Sequence, residues 1–409
     1  MKQLLLLLFL FPFRLFSQSL TPEITSWILN TNGETGYNGI PSNVQEVQYS
    51  DNNVYVSCTC IPGYDIGPWP GNPNTPVDQN FVFKITRHPQ QNTGTAIATP
   101  LGHIGVWSNG VSIFNAEDAH SYNNVNVWHQ DAVVVEGSSF DDCLGHPSPS
   151  GEYHHHLNPT CLYDDNNTSI HSPIIGYAFD GFPVYGAYGF SNVDGSGGIV
   201  RMRSGYGLRN ITTRTTLPDG TVLTANQYGP DVNGQYPLGY YIEDYEYVQE
   251  LGDLDEHNGR FCVTPEYPAG TYAYFVTLDS NLNGQYPYTL GPTYYGTVQA
   301  GNTGPDSGHN TITESVTVYS SVDEVNDVVR FSVFPNPSSD FISVLIDPSQ
   351  HANMKASLLN DAGQLISQLD NVQSAVQYSF DLSSLPDGVY FLRIGCENFC
   401  VMKKVVKTK

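Results

Sequence analysis

Between residues 20 and 298 no stretch holds a helical period over three turns; the apolar residues come in short runs closed by Gly, Pro and Asn-Gly turns. Val54-Tyr55-Val56, Phe81-Val82-Phe83-Lys84-Ile85 and Tyr272-Ala273-Tyr274-Phe275-Val276 are of strand length. Their β-branched and aromatic content suits a pleated, half-buried surface. The chain is thereby confined to a mostly β, loop-rich architecture, consistent with its 27 Tyr, 38 Gly and 27 Pro. At 409 residues it exceeds the size of roughly 250–300 residues at which single cores stop growing, so more than one domain is expected.

The charge balance excludes several partners. A formal net charge of −24 with only 16 basic residues leaves no basic stripe to neutralise phosphates, so nucleic acid is excluded and anionic membranes are disfavoured. Residues 1–17 combine Lys2, an apolar run over residues 4–13, Arg14 and a short segment ending at Ser17, the layout of a cleavable export signal. Pro12 interrupts that run, and no later segment reaches the about 18 consecutive apolar residues of a membrane span, so no transmembrane segment is expected. Removing the signal leaves 14 basic residues against 40 acidic ones. Seven cysteines in an exported chain imply disulfides with one thiol left over. Cys143 with Cys161, which bracket the most His-rich stretch, and Cys396 with Cys400, which flank a short turn, are the expected pairs. One of Cys58 and Cys60 is expected to reach Cys262, because a bond across a single residue is strained.

Composition changes along the chain. Residues 18–298 form the β-rich body, residues 299–330 are rich in Gly, Ser, Asn, Thr and acids and read as a linker, and residues 331–409 repeat short alternating strands that suggest a small C-terminal β-sandwich. In that last segment VFPNPSSDFISV, LLNDAGQLI, DLSSLPDGVYFLRI and the basic end KKVVKTK occur in order. They resemble the C-terminal sorting domain of type IX secretion. The resemblance implies passage across the outer membrane by the secretion machinery, and a secreted or outer-surface protein.

Inside the body the sequence echoes itself. Asp141-Asp142-Cys143-Leu144-Gly145-His146 precedes Gly151-Glu152-Tyr153-His154-His155-His156, and Asp255-Glu256-His257-Asn258-Gly259-Arg260 precedes Gly270-Thr271-Tyr272-Ala273-Tyr274-Phe275. The shared residues shape a turn and a strand; the histidines that differ carry whatever chemistry the first copy has. On a strand, His154 and His156 share one face and Tyr153 and His155 the other. A His-x-His pair on one rigid strand needs only one or two further ligands to hold a transition metal. His146 and His171, in flanking loops, and Asp180, as ligand or as an acceptor that orients an imidazole, are the candidates. His120 and His129 could complete the site from a neighbouring strand.

The segments GHPSPSGEYHHHLNPTC, HSPIIGYAFDGFPVYGAYG and LDEHNGRFCVTPEYPAGTYAYFVT resemble the YHYH domain family over residues 101–296. The family motif falls on Tyr153, His154, His155 and His156, with His155 where Tyr is expected. The second copy, Tyr272-Ala273-Tyr274-Phe275, departs further. The resemblance implies the domain and leaves its ligand open. The reading of the residues is a metal-binding protein holding copper or zinc through His154, His156 and some of His146, His171 and Asp180, without a commitment to catalysis. Two alternatives stand beside it: a metal-dependent hydrolase using Asp142 or Glu152 as base and His171 as proton carrier, and a metal-free adhesion module stacking glycans on Tyr185, Tyr188, Tyr240, Tyr241, Tyr294 and Tyr295. Signatures such as G-x-S-x-G are absent from the sequence.

Overall fold

The computed structural model describes residues 20–304, 307–320, 331–346, 354–360, 363–373, 377–396 and 399–408; the expected export signal lies outside them. Two Gly-closed turns organise the body. At Asn109-Gly110 the Asn109 side chain accepts from Val111 N at 3.2 Å, and at Asp180-Gly181 the Asp180 side chain accepts from Phe182 N at 3.2 Å. Gly110 (φ 81°) and Gly181 (φ 91°) supply the left-handed backbone that such turns need.

Each turn joins an antiparallel hairpin. Strands β1 (His103–Trp107) and β2 (Ser112–Phe114) form the first, and after β3 (His146–Pro147) and β4 (Tyr153–His155), strands β5 (Ile174–Ala178) and β6 (Pro183–Tyr185) form the second. Strands β7 (Gly259–Cys262) and β8 (Thr271–Phe275) complete an eight-stranded sheet in the order β7-β8-β6-β5-β1-β2-β4-β3. This order reads the same from either end once β1 to β4 are matched with β5 to β8. The pairing types agree: β4 runs parallel to β2 and β8 parallel to β6, while β3–β4 and β7–β8 are antiparallel. At the central seam Gly105 faces Ala178, Val106 faces Tyr177 and Trp107 faces Gly176, so a pseudo-two-fold axis passes through the Val106–Tyr177 pair. A Cβ on Gly105 would lie 2.7 Å from Tyr177 O, and one on Gly176 would lie 2.6 Å from Val106 O. Both glycines are required by the same close approach.

The echo seen in the sequence is the outer part of this duplication. Asp141 accepts from Cys143 N at 3.0 Å and Gly145 N at 3.1 Å, and Tyr153 donates its hydroxyl to it at 2.9 Å. Asp255 likewise accepts from His257 N at 2.9 Å, Gly259 N at 3.3 Å and the Tyr272 hydroxyl at 2.8 Å. Leu144 (φ 64°) and Asn258 (φ 63°) take the same left-handed position. Each half therefore folds as an aspartate-anchored turn followed by a strand whose tyrosine returns to that aspartate.

A second sheet, in the order Thr317–Tyr319, Val44–Tyr49, Asn53–Cys58, Phe81–Thr86, packs against the first. Val47, Val56 and Phe83 share one core with Val106, Tyr177 and Phe275, whereas Trp107, Ile113, Ala178 and Tyr274 belong to another. The body extends further than its composition implies. Residues 299–304 and 307–320, expected in the linker, belong to the same compact unit as the rest of the body. Thr317–Tyr319 pairs with Val47 to Tyr49, Asn302 Oδ1 accepts from Lys84 N at 3.0 Å, and Glu314 accepts from the Tyr55 hydroxyl at 2.7 Å. Polar composition there reflects side chains that bond to a sheet edge.

Cys143 and Cys161 are joined by a disulfide with Cα atoms 5.2 Å apart. Cys58, Cys60 and Cys262 are free and buried, so the expected bond to Cys262 does not form. Cys60 is held instead against Tyr153 O at 3.1 Å and Ser112 Oγ at 3.4 Å. The side chains of Cys396 and Cys400 lie outside the described residues.

The C-terminal unit is a two-sheet sandwich. Phe331–Phe334, Phe341–Ile346 and Gln377–Asp381 form one sheet, and Met354–Leu359, Leu365–Val372, Gly388–Cys396 and Phe399–Lys407 the other. Ile342, Val344 and Phe380 from the first share a core with Ala356, Leu358 and Leu392 from the second.

The extended boundary is testable by thermal and urea denaturation of shortened chains. A chain ending at Ser320 should keep the body's stability, whereas one ending at Val298 should lose about 3 kcal/mol or more, several hydrogen bonds at roughly 1 kcal/mol each. Equal stability of the two would place residues 299–320 outside the folded body.

Candidate metal centre

The register between β3 and β4 sets His146 directly across from His154, and the alternation of β4 returns His156 to the same side as His154. All three rings are buried at 3–4% exposure. Their Nε2 atoms converge: 3.1 Å from His146 to His154 and 3.2 Å from His154 to His156. Phe114 on β2 stacks on the His154 ring at 3.8 Å and fixes its plane.

The opposite nitrogen of each ring is tied to a protein oxygen. His154 Nδ1 donates to Glu152 O at 3.0 Å and His156 Nδ1 to Asn115 O at 2.6 Å. His146 Nδ1 lies 2.9 Å from Ser139 Oγ, whose own hydrogen goes to Glu136 O at 2.8 Å, so the imidazole is the donor there as well. When neutral, all three rings are thereby held in the Nδ1–H tautomer, and their Nε2 atoms lie within 4.8 Å of one another. Burial pushes the His146 pKa down to about 4 and that of His154 well below the usual imidazole range, with the neighbouring His156 adding to both shifts. A proton is thus a poor partner for the His146 and His154 lone pairs near neutral pH, and a metal cation a good one. The donor set fits zinc and copper alike.

The short helix Ala132–Glu136, N-capped by Asp131 through Val133 N at 3.0 Å, runs into the turn Gly137–Ser139 and brings Glu136 to the cluster. Glu136 Oε2 is 3.2 Å from His156 Nε2 and 3.6 Å from His146 Nε2. Burial alone would raise the Glu136 pKa; a positive charge on the cluster, in the form of a proton on His156 Nε2 shared with the carboxylate together with the charges of His146 and His120, brings it below the usual range instead. The cluster forms the floor of a cleft of about 480 Å³, walled by Pro70, Pro73, Phe114, Glu117, Asp118 and Glu136.

Of the five metal-ligand candidates the structure brings together His146, His154 and His156 and places His171 and Asp180 elsewhere. Asp180 is the counterpart of Asn109 in the second half, where it accepts from the Tyr274 hydroxyl at 2.6 Å and Gly296 N at 2.8 Å; burial raises its pKa to about 6. His171 donates Nδ1 to Ser172 O at 2.7 Å and packs its ring against Tyr185, Phe190 and Phe275. In the second half Arg260, Ala273 and Phe275 stand where the first has His146, His154 and His156. His129 is held by Glu243 at 2.6 Å, His120 is exposed, and His257 bonds to Thr293 O at 3.1 Å. The Glu152 carboxylate is engaged with His103 and Ser112, and Asp142 is exposed. Sequence reasoning missed Glu136, Ser139 and Asn115 O. The S/T-poor run Ala132 to Glu136 carries no sequence signal beyond its Asp131 cap.

A β protein built on a duplicated hairpin sheet, with a three-histidine cluster in only one half, is the class that fold and site define. The profile of the YHYH protein family matches residues 82–286, half of the chain, and the chain belongs to that family. A second profile, the secretion system C-terminal sorting domain, matches residues 332–408. No curated protein matches the sequence. The sorting domain engages the type IX secretion system, so this is a secreted or outer-surface protein, and no helix among the described residues is long and apolar enough to cross a membrane.

The depressed imidazole pKa values set a pH dependence for the metal-free protein. The unfolded chain binds protons near pH 6.5, while folded His146 refuses them until about 4. Stability present above pH 6.5 therefore falls as the pH drops toward 4, on the order of 3 kcal/mol for this group alone. Thermal melts between pH 7.5 and 4.5 should show this loss, and a His146→Asn variant a shallower one. A flat wild-type profile would mean that the rings take up protons within the fold.

Proposed function

We propose that the body of this secreted YHYH protein holds one transition-metal ion, copper or zinc, on the Nε2 atoms of His146, His154 and His156. The observation that carries this reading is the orientation of three buried rings: each is tied through Nδ1 to a protein oxygen, and His154 Nε2 lies 3.1 and 3.2 Å from those of His146 and His156. Neutral imidazoles in this arrangement repel one another unless a cation lies between them. Outer partners of this kind are what orients metal-ligating histidines in proteins.

The cleft favours a reactive rather than a purely structural ion. Structural zinc sites are closed by four protein ligands, whereas three ligands with access to solvent leave a position for water or substrate. A metal-dependent hydrolase is therefore the second reading, with Glu136 beside the open position in place of Asp142 or Glu152. The adhesion reading loses support because Tyr185, Tyr188, Tyr241 and Tyr294 are buried at 0–6% exposure and fill the core.

Elemental analysis of the purified full chain tests the proposal. About one copper or zinc per chain is expected in the wild type after reconstitution, and none in a His154→Ala, His156→Ala double variant that retains its fold by circular dichroism. Absence of both metals from the reconstituted wild type, or equal retention in the double variant, would contradict it.

A further inference from the structure

We infer that Glu136 is a fourth, replaceable ligand of the three-histidine ion, closing the site at rest and giving way to a small ligand that enters from the cleft. The inference rests on the metal reading above and adds to it a residue and a means of controlling access.

The distances suit it. With metal–nitrogen bonds of about 2.0–2.1 Å, the edges of a tetrahedral ligand set are about 3.3–3.4 Å. Two of the three histidine pairs stand at 3.1 and 3.2 Å and the third within 4.8 Å, with Glu136 Oε2 at 3.2 Å from His156 and 3.6 Å from His146. Glu136 thus lies along the His146–His156 side of the cluster, within a small side-chain rotation of the fourth corner.

The four groups differ in freedom. The histidine side chains are almost wholly buried and locked at Nδ1, but the Glu136 side chain is 32% exposed and lines the cleft. Its backbone is fixed, since Glu136 O accepts from Ser139 Oγ and the helix is capped by Asp131, itself buried and bonded to the Tyr288 hydroxyl at 2.7 Å. Among the described residues no Lys or Arg pairs with the carboxylate; the basic groups nearest it are the His146 and His156 imidazoles. A carboxylate on a fixed stem, with no competing cation and room to swing into an adjoining cleft, is built to bind a metal and to leave it. Three rigid ligands hold the ion meanwhile.

Cobalt(II), a spectroscopic stand-in for zinc, allows a test without a known substrate. The full chain is loaded with cobalt and titrated with azide, following visible absorption, beside Glu136→Gln and Glu136→Ala variants. Both variants are expected to keep stoichiometric cobalt, to show an altered ligand-field spectrum before azide is added, and to bind azide at least about tenfold more tightly than the wild type. Unchanged spectra and azide affinity would show that Glu136 is not a ligand. Loss of cobalt from both variants would show it to be obligatory rather than replaceable, and either result overturns the inference while leaving the histidine site standing. Failure of the wild type to bind either cobalt or copper would sink the three-histidine reading and this inference with it.

Discussion

At the centre of the body two strands approach so closely that neither Gly105 nor Gly176 has room for a Cβ. That seam sets the register of β1 against β5, and from it each half grows outward by the same steps: a Gly-closed hairpin, a parallel strand, and an antiparallel edge strand led in by an aspartate-anchored turn. Asp141 and Asp255 each satisfy two backbone donors of their own turn and one tyrosine hydroxyl, and Asp141 also accepts from Gly67 N and Trp69 Nε1, so each turn is fixed by bonds that burial makes costly to leave unmade. The duplicated frame can tolerate divergence at the positions facing out of it, and there the two halves part.

In the first half those positions are His146, His154 and His156; in the second, the chain has Arg260, Ala273 and Phe275. The backbone that brings three rings together also supplies the acceptors that turn them, Glu152 O from the histidine strand itself and Asn115 O from the end of the adjoining hairpin. The disulfide between Cys143 and Cys161 braces the turn that delivers His146. The histidine cluster is thereby confined to one half of a symmetric scaffold, and the sorting domain is a separate compact unit with its own core.

Much of this was legible in the sequence, for physical reasons that can be named. The period-two alternation of a strand put His154 and His156 on one side, and the pairing of short apolar runs with Gly and Asn turns made the β class unavoidable. The outer half of the duplication showed because its turn and tyrosine recur in order. Its inner half, Ile104-Gly105 through Asn109-Gly110 against Ile175-Gly176 through Asp180-Gly181, shares only the glycines and their apolar neighbours, a fainter signal. Spacing alone sets Asp180 near the histidines, whereas its place as the partner of Asn109, in the other half, is visible only once the hairpins are matched. His171 instead bonds to Ser172 O and packs on Tyr185, Phe190 and Phe275, contacts that spacing along the chain does not show. Glu136 could not be found from spacing, because a one-turn helix has no period to read, and residues 299–320 looked like a linker because hydrogen-bonding to a sheet edge needs polar side chains.

The most direct test of a three-histidine metal centre is anomalous diffraction from crystals of the metal-reconstituted full chain, collected above and below the copper and zinc absorption edges. One strong peak about 2 Å from Nε2 of His146, His154 and His156 is predicted. A peak at His171 or Asp180, or density at the cluster with no anomalous signal at either edge, would contradict it.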